Sequence, residues 1–124
     1  MKANISRFLR AFVFAFEGIL QVARTERNMP VHFVIAVCCV LLGIFLRLSL
    51  VEWAVIALAM SGVFSSEIMN SSVETLIDLA SPDQHQLAKV AKDAAAGAVL
   101  VNAIFAAIAG VLIFAPKLWE VIRR

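Results

Sequence analysis

The chain has 124 residues, of which 62% are hydrophobic and 16% charged, with a formal net charge of +2. Soluble domains are about half apolar and about a quarter charged, so this composition, with a mean hydropathy of +0.92, excludes an ordinary soluble domain. It reads as one all-α integral membrane unit over residues 1–124, and so small a charge excess gives no reason to expect a nucleic-acid partner.

Residues 4–24 are expected to form an amphipathic helix. Ile5, Phe8, Leu9, Phe12, Phe16, Ile19, Leu20 and Ala23 recur at three- and four-residue spacing, while Arg7, Arg10, Glu17, Gln21 and Arg24 share the other side and Phe14 intrudes on it. A basic helix with an aromatic apolar face is suited to lie among lipid headgroups. No cleavable leader is expected, because arginines recur through this segment and no convincing cleavage site follows.

Arg24 to Met29 form a charged break, and Pro30 suits the first turn of the next helix. A first span is expected over 31–47, in which Cys38 and Cys39 are adjacent and read as small packing residues. His32 reads as a helix-end packing residue. Ser49 and Glu52 mark a tight turn, and a second helix is expected over 51–80. Ser81-Pro82-Asp83-Gln84 has the form of a capping box, opening a polar segment that ends at Asp93. A third span is expected over 94–115, followed by Pro116 and a charged tail. Its Ala103/Ala107 and Ala106/Gly110 pairs let helices approach closely. Three spans offer little surface for burying a polar site, so an oligomer is expected to enclose it.

Orientation follows from the cations. With the N-terminus cytoplasmic, Lys2, Arg7, Arg10, Arg24, Arg27, Lys89 and Lys92 lie inside, and the smaller set Arg47, Lys117, Arg123 and Arg124 lies outside.

The informative stretch is Glu67-Ile68-Met69-Asn70-Ser71-Ser72-Val73-Glu74-Thr75-Leu76-Ile77-Asp78. Glu67, Asn70, Glu74 and Asp78 fall on one helical face at the end of an apolar run, and acids in that setting usually have a function. Measured from Val51 at about 1.5 Å per residue, Glu67 lies roughly 24 Å along the helix, Glu74 roughly 35 Å and Asp78 roughly 40 Å. A hydrocarbon core is about 30 Å thick, so the face runs from the apolar edge into water.

Glu67 is the best candidate for a general base acting on a lipid hydroxyl, with Asn70 orienting it or the substrate. Glu26 and Glu74, if they converge, make a hard-oxygen site suited to Mg²⁺. Lys92 beside Asp93, and Arg7 and Arg10 on the first helix, can neutralise phosphate charge. His85 stands between a plain surface residue and a ligand contact. A positioned hydroxyl, a base, a metal and cations are the parts that phosphoryl transfer needs. No glycine-rich phosphate loop occurs, and two separated histidines do not make a zinc site.

These residues resemble the small integral-membrane lipid kinases of bacteria, the prokaryotic diacylglycerol kinase and undecaprenol kinase family. The 67–78 stretch is similar to that family's signature, and the likeness extends through Ser81-Pro82, His85, Ala91-Lys92-Asp93, Ala96 to Leu100, and Arg24 to Asn28. The resemblance implies a homotrimer in the bacterial cytoplasmic membrane, each subunit with a surface helix and three spans. It implies phosphorylation of a lipid alcohol by ATP and Mg²⁺ at the cytoplasmic interface. By position, Glu67 matches the base, Glu26 and Glu74 the metal carboxylates, and Arg7, His85, Lys92 and Asp93 the surroundings of the nucleotide; Phe14 stands where the family sometimes has an aromatic hydroxyl. Leu79 replaces the arginine that follows Asp78 in the diacylglycerol-specific branch, which favours undecaprenol over diacylglycerol as substrate. A small ion- or proton-conducting oligomer gated by Glu67 is the alternative of another class. It predicts polar residues through the depth of a span, whereas the run from Trp53 to Met60 is apolar.

Overall fold

A backbone that crosses hydrocarbon must satisfy its own hydrogen bonds, and this chain does so with helices throughout. The computed structural model describes residues 2–81 and 85–123, with side chains from Ser6 onward. The order is α1 (Lys2–Thr25), α2 (Met29–Phe45), α3 (Leu50–Ala80) and α4 (Gln86–Ile122), and no strand occurs among the described residues.

Two of these, α3 and α4, are each long and apolar enough to cross a membrane. At about 1.5 Å per residue they extend roughly 46 and 55 Å, beyond a hydrocarbon core of about 30 Å. Helix α2 has 17 residues and joins the count only together with α1, from which it is bent by 103°. With α2 upright in a bilayer, α1 therefore lies nearly in the membrane plane. Its Phe8, Phe12 and Phe16 are exposed along one side, with Phe8 and Phe12 edge to face at 5.0 Å.

The α2–α3 turn is tightly made. The Leu48 N–H donates to the Gly43 carbonyl at 3.0 Å and the Arg47 N–H to the Ile44 carbonyl at 3.2 Å. Arg47 has φ 53°, the left-handed residue that this helix ending requires and that glycine usually supplies. Helix α3 then opens with a capping box. The Glu52 N–H donates to Ser49 Oγ, and the Ser49 N–H donates to Glu52 Oε2 at 2.7 Å.

The principal packing is α3 against α4. Near the α2–α3 turn it buries Leu46, Leu48, Ile56 and Phe114, with Cys39, Leu42, Trp53 and Met60 around them. Gly43 lets the Trp53 ring lie against α2; a Cβ there would stand 2.7 Å from Trp53 Cη2. Further along, α4 approaches Gly62 of α3 so closely that a Cβ would meet Asn102 Oδ1 at 3.0 Å. Hydroxyls within α3 bond back to its own carbonyls, as Ser65 Oγ does to Ser61 and Thr75 Oγ1 to Ser71, so they add no unpaired group to an apolar span.

The helix that carries the third span is longer than the span itself. The polar segment ending at Asp93 and the apolar run after it form one helix, which continues through Pro116 to Ile122. Proline removes one backbone bond, but side chains beyond it tie the last turns down. Leu118 packs on the core, Lys117 pairs with Glu52 at 3.2 Å, and Arg123 lies 5.7 Å over Trp119. The proposed box at Ser81 includes Pro82, Asp83 and Gln84, which lie outside the described residues. Ser81 closes α3, and α4 is capped by His85, whose Nδ1 accepts from the Leu87 N–H at 3.2 Å.

Candidate active site

The helical spacing that puts Glu67, Asn70, Glu74 and Asp78 on one face of α3 gives each a different neighbour. Glu67 is 2% exposed, and among the described residues no side chain hydrogen-bonds or ion-pairs with it. It lines a cavity of about 300 Å³ with Asn70, Asn28 and His32, closed on the α4 side by Ala96, Val99, Leu100 and Ala103. The helices of one chain thus already bury Glu67.

Asn70 links this cavity to the next carboxylate. Its Nδ2 donates to Glu74 Oε1 at 3.1 Å, while its buried Oδ1 has no partner. One turn beyond Glu67, the buried Ser71 donates its hydroxyl to Glu26 Oε1, a contact spanning 45 residues of sequence. Glu26 lies in the bend between α1 and α2, so the 103° turn brings this carboxylate onto the α3 face. Leaving a buried oxygen unpaired is costly, which makes Asn70 Oδ1 a natural point of ligand contact.

The candidate nucleotide residues are gathered less completely. Lys92 of α4 pairs with Asp78 of α3 across the α3–α4 connection, while the neighbouring Asp93 pairs with Lys89 at 3.8 Å on the helix surface. His85 is exposed and occupied in capping α4. Arg7 and Arg10 are exposed on α1, and Arg10 Nε donates to the Ser6 carbonyl at 3.3 Å. The geometry brings neither arginine into the Glu67 cavity.

Among the described residues no three metal-ligating side chains form a group. Mg²⁺ does not need three, since it is commonly held by one or two carboxylates plus phosphate oxygens and water. Glu26, Glu74 and the free Oδ1 of Asn70 are all hard oxygen donors on or against one helical face, and such a set fits Mg²⁺.

Sequence reasoning missed three contributors. Ser71 lies inside the signature stretch but was assigned no role, because its partner is 45 residues away. Asn28 closes the charged break and faces the cavity. His32 does pack, with its ring edge-on to Phe64 at 6.5 Å, but it also borders the cavity. Pro30 in the first turn of α2, which sets the register of the residues after it, was the available signal for His32.

A buried carboxylate with no partner among the described residues, beside an orphaned amide oxygen at the end of membrane-length helices, marks this end of the bundle as the candidate site of a membrane protein. The sequence profile of the prokaryotic diacylglycerol kinase family matches residues 13–114, and the chain belongs to that family. It is 46% identical over 115 residues to undecaprenol kinase of Bacillus subtilis (strain 168), covering 93% of this chain and 94% of the relative. It is 37% identical over 111 residues to a diacylglycerol kinase of Synechocystis sp., covering 89% of this chain and 63% of that protein. A diacylglycerol kinase of Helicobacter pylori (strain J99) is 30% identical over 102 residues, covering 82% of this chain and 80% of the relative. The protein is a lipid kinase, and the conducting-oligomer alternative is set aside.

Proposed function

We propose that this kinase transfers the terminal phosphoryl group of ATP, with Mg²⁺, to the hydroxyl of undecaprenol. It does so at the cytoplasmic face of a bacterial cytoplasmic membrane, as a homotrimer with three spans per subunit and a cytoplasmic N-terminus. The observation that carries this reading is Glu67, a carboxylate 2% exposed and unpaired among the described residues, in a cavity otherwise lined largely by apolar and amide groups.

In this reading the lipid hydroxyl donates a hydrogen bond to Glu67. As its oxygen bonds to the phosphorus and the bond to the leaving ADP oxygen breaks, Glu67 takes the hydroxyl proton. Asn70 orients the acceptor through Oδ1 while its Nδ2 holds Glu74 in place. Glu26, steadied by Ser71, and Glu74 would hold the metal. Bound Mg²⁺ neutralises charge that develops on the phosphates. Lys92, oriented by Asp78, and Asp93, His85, Arg7 and Arg10 surround the nucleotide.

The preference for undecaprenol is supported by the extent of similarity to the Bacillus subtilis enzyme and by Leu79 after Asp78. The Synechocystis and Helicobacter pylori relatives favour a second reading, phosphorylation of diacylglycerol to phosphatidic acid. The experiment is phosphate transfer from Mg-ATP by purified protein in mixed micelles, comparing the two alcohols, with Glu67→Gln as control. Faster transfer to undecaprenol that the substitution abolishes is the expected result. Preference for diacylglycerol selects the second reading, and transfer to neither by folded protein overturns both.

A further inference from the structure

A second cavity, of about 310 Å³, lies between α2, α3 and α4. Ile35, Met60, Phe64, Ala107 and Gly110 line it, and it shares His32 and Ala103 with the cavity that holds Glu67. The two spaces therefore meet at His32, whose ring stands edge-on to Phe64. On one side is a buried carboxylate with no partner among the described residues, and on the other a space whose walls are mostly apolar.

We infer that this second cavity holds the hydroxyl-proximal part of the substrate's hydrocarbon tail, and that Ala103, Ala107 and Gly110 set which tails are accepted. This rests on the reading of Glu67 as the base acting on a lipid alcohol. A hydroxyl at Glu67 has its tail beginning at the His32–Ala103 junction, where the adjoining and mostly apolar space shares its lining with the Glu67 cavity. A tail directed elsewhere would leave that space empty, and an unfilled apolar cavity is destabilising.

Size decides how much of the tail enters. An apolar cavity of about 150 Å³ accepts benzene, so about 310 Å³ accommodates roughly twice as many carbons, about two isoprene units. The small-residue wall from Ala103 to Gly110 is roughly 10 Å long at about 1.5 Å per residue. A single-tailed alcohol enters the His32–Phe64 junction as one chain, whereas a diacyl alcohol brings two chains to the same point. The junction thus discriminates by tail number, and the alanines by tail thickness.

The test uses wild-type protein in mixed micelles with Mg-ATP and a polyprenol carrying a photoactivatable diazirine on its second isoprene unit. Labelling of α3 at Ile56 or Val63, or of α4 between Ala103 and Val111, is expected. Labelling confined to Phe33, Val37 and Leu41, or to α1, overturns the inference and leaves the cavity to a bilayer acyl chain or a neighbouring copy. Ala107→Leu supplies a second arm, adding side-chain volume to the cavity. The ratio of kcat/KM for a long polyprenol to that for a single-isoprene alcohol should fall about tenfold, mainly through KM. An unchanged ratio overturns the tail assignment while the kinase reading stands. Absence of transfer to any alcohol by the folded wild type removes the kinase reading itself, and the photolabel decides the matter where Ala107→Leu does not fold.

Discussion

At the α2–α3 end of the bundle polar groups are paired. Ser49 and Glu52 cap each other, Glu52 also meets Lys117, and Leu46, Leu48, Ile56 and Phe114 fill the space between the helices. At the α3–α4 end the same helix buries Glu67 with no partner among the described residues and leaves Asn70 Oδ1 unsatisfied. One end is closed by its own sequence, whereas the other is arranged to be completed by something the chain does not contain. The difference separates stability from chemistry along one helix, α3, and mutations at its two ends should separate in the same way.

The largest effect is expected from Glu67→Gln. It removes the base while keeping shape, so kcat should fall roughly 10²- to 10⁴-fold. The unfolding midpoint in detergent should change little, because the amide keeps the size and shape of the carboxyl group. A midpoint that drops with the activity would break the separation of the two ends. Next, Ser71→Ala frees the Glu26 carboxylate without touching a proposed ligand. The Mg²⁺ concentration for half-maximal activity should rise about 10- to 100-fold, as when a residue behind a metal ligand is removed. An unchanged Mg²⁺ dependence would remove Glu26 from the metal site.

At the other end the readout reverses. Gly43→Ala places a methyl 2.7 Å from the Trp53 ring and should lower stability by about 1–3 kcal/mol, leaving KM for the lipid unaltered. The smallest effect is a gain. Arg47→Gly relieves a left-handed backbone at φ 53° and should raise the midpoint slightly, by on the order of 0.5 kcal/mol after glycine's entropy cost. Chemical denaturation of both variants, alongside turnover at saturating lipid, checks them.

Much of this division was legible in the sequence, because apolar runs and helical spacing are local signals. The repeat of Phe8, Phe12 and Phe16 gave α1, and the register of Glu67, Asn70 and Glu74 placed them on one face of α3. Less visible was anything that depends on a distant partner. Ser71 meets Glu26 only because α1 and α2 bend by 103°, and the orphaned Asn70 oxygen follows from burial rather than from its own position in the chain. Pro116 is accommodated for a related reason. A proline signals a helix end on local grounds, and packing by Leu118 and the Lys117–Glu52 pair overrides it. The depth of Glu67's burial was not legible either, since sequence spacing does not report how closely α3 and α4 approach at Gly62.

The bend between α1 and α2 has a further consequence for the enzyme's response to its membrane. Glu26 sits at the corner, so with α1 resting on the membrane surface that helix would fix the height of Glu26, and through Ser71 that of the end of α3 that carries Glu67. That height is referred to the leaflet on which α1 rests, not to the bilayer midplane. When bilayer thickness changes, the adjustment falls on the opposite end, where the α2–α3 turn and the last turns of α4 tilt or sink. The site keeps its register with the headgroups across membranes of different depth, as a float keeps its level whatever the depth of water beneath it.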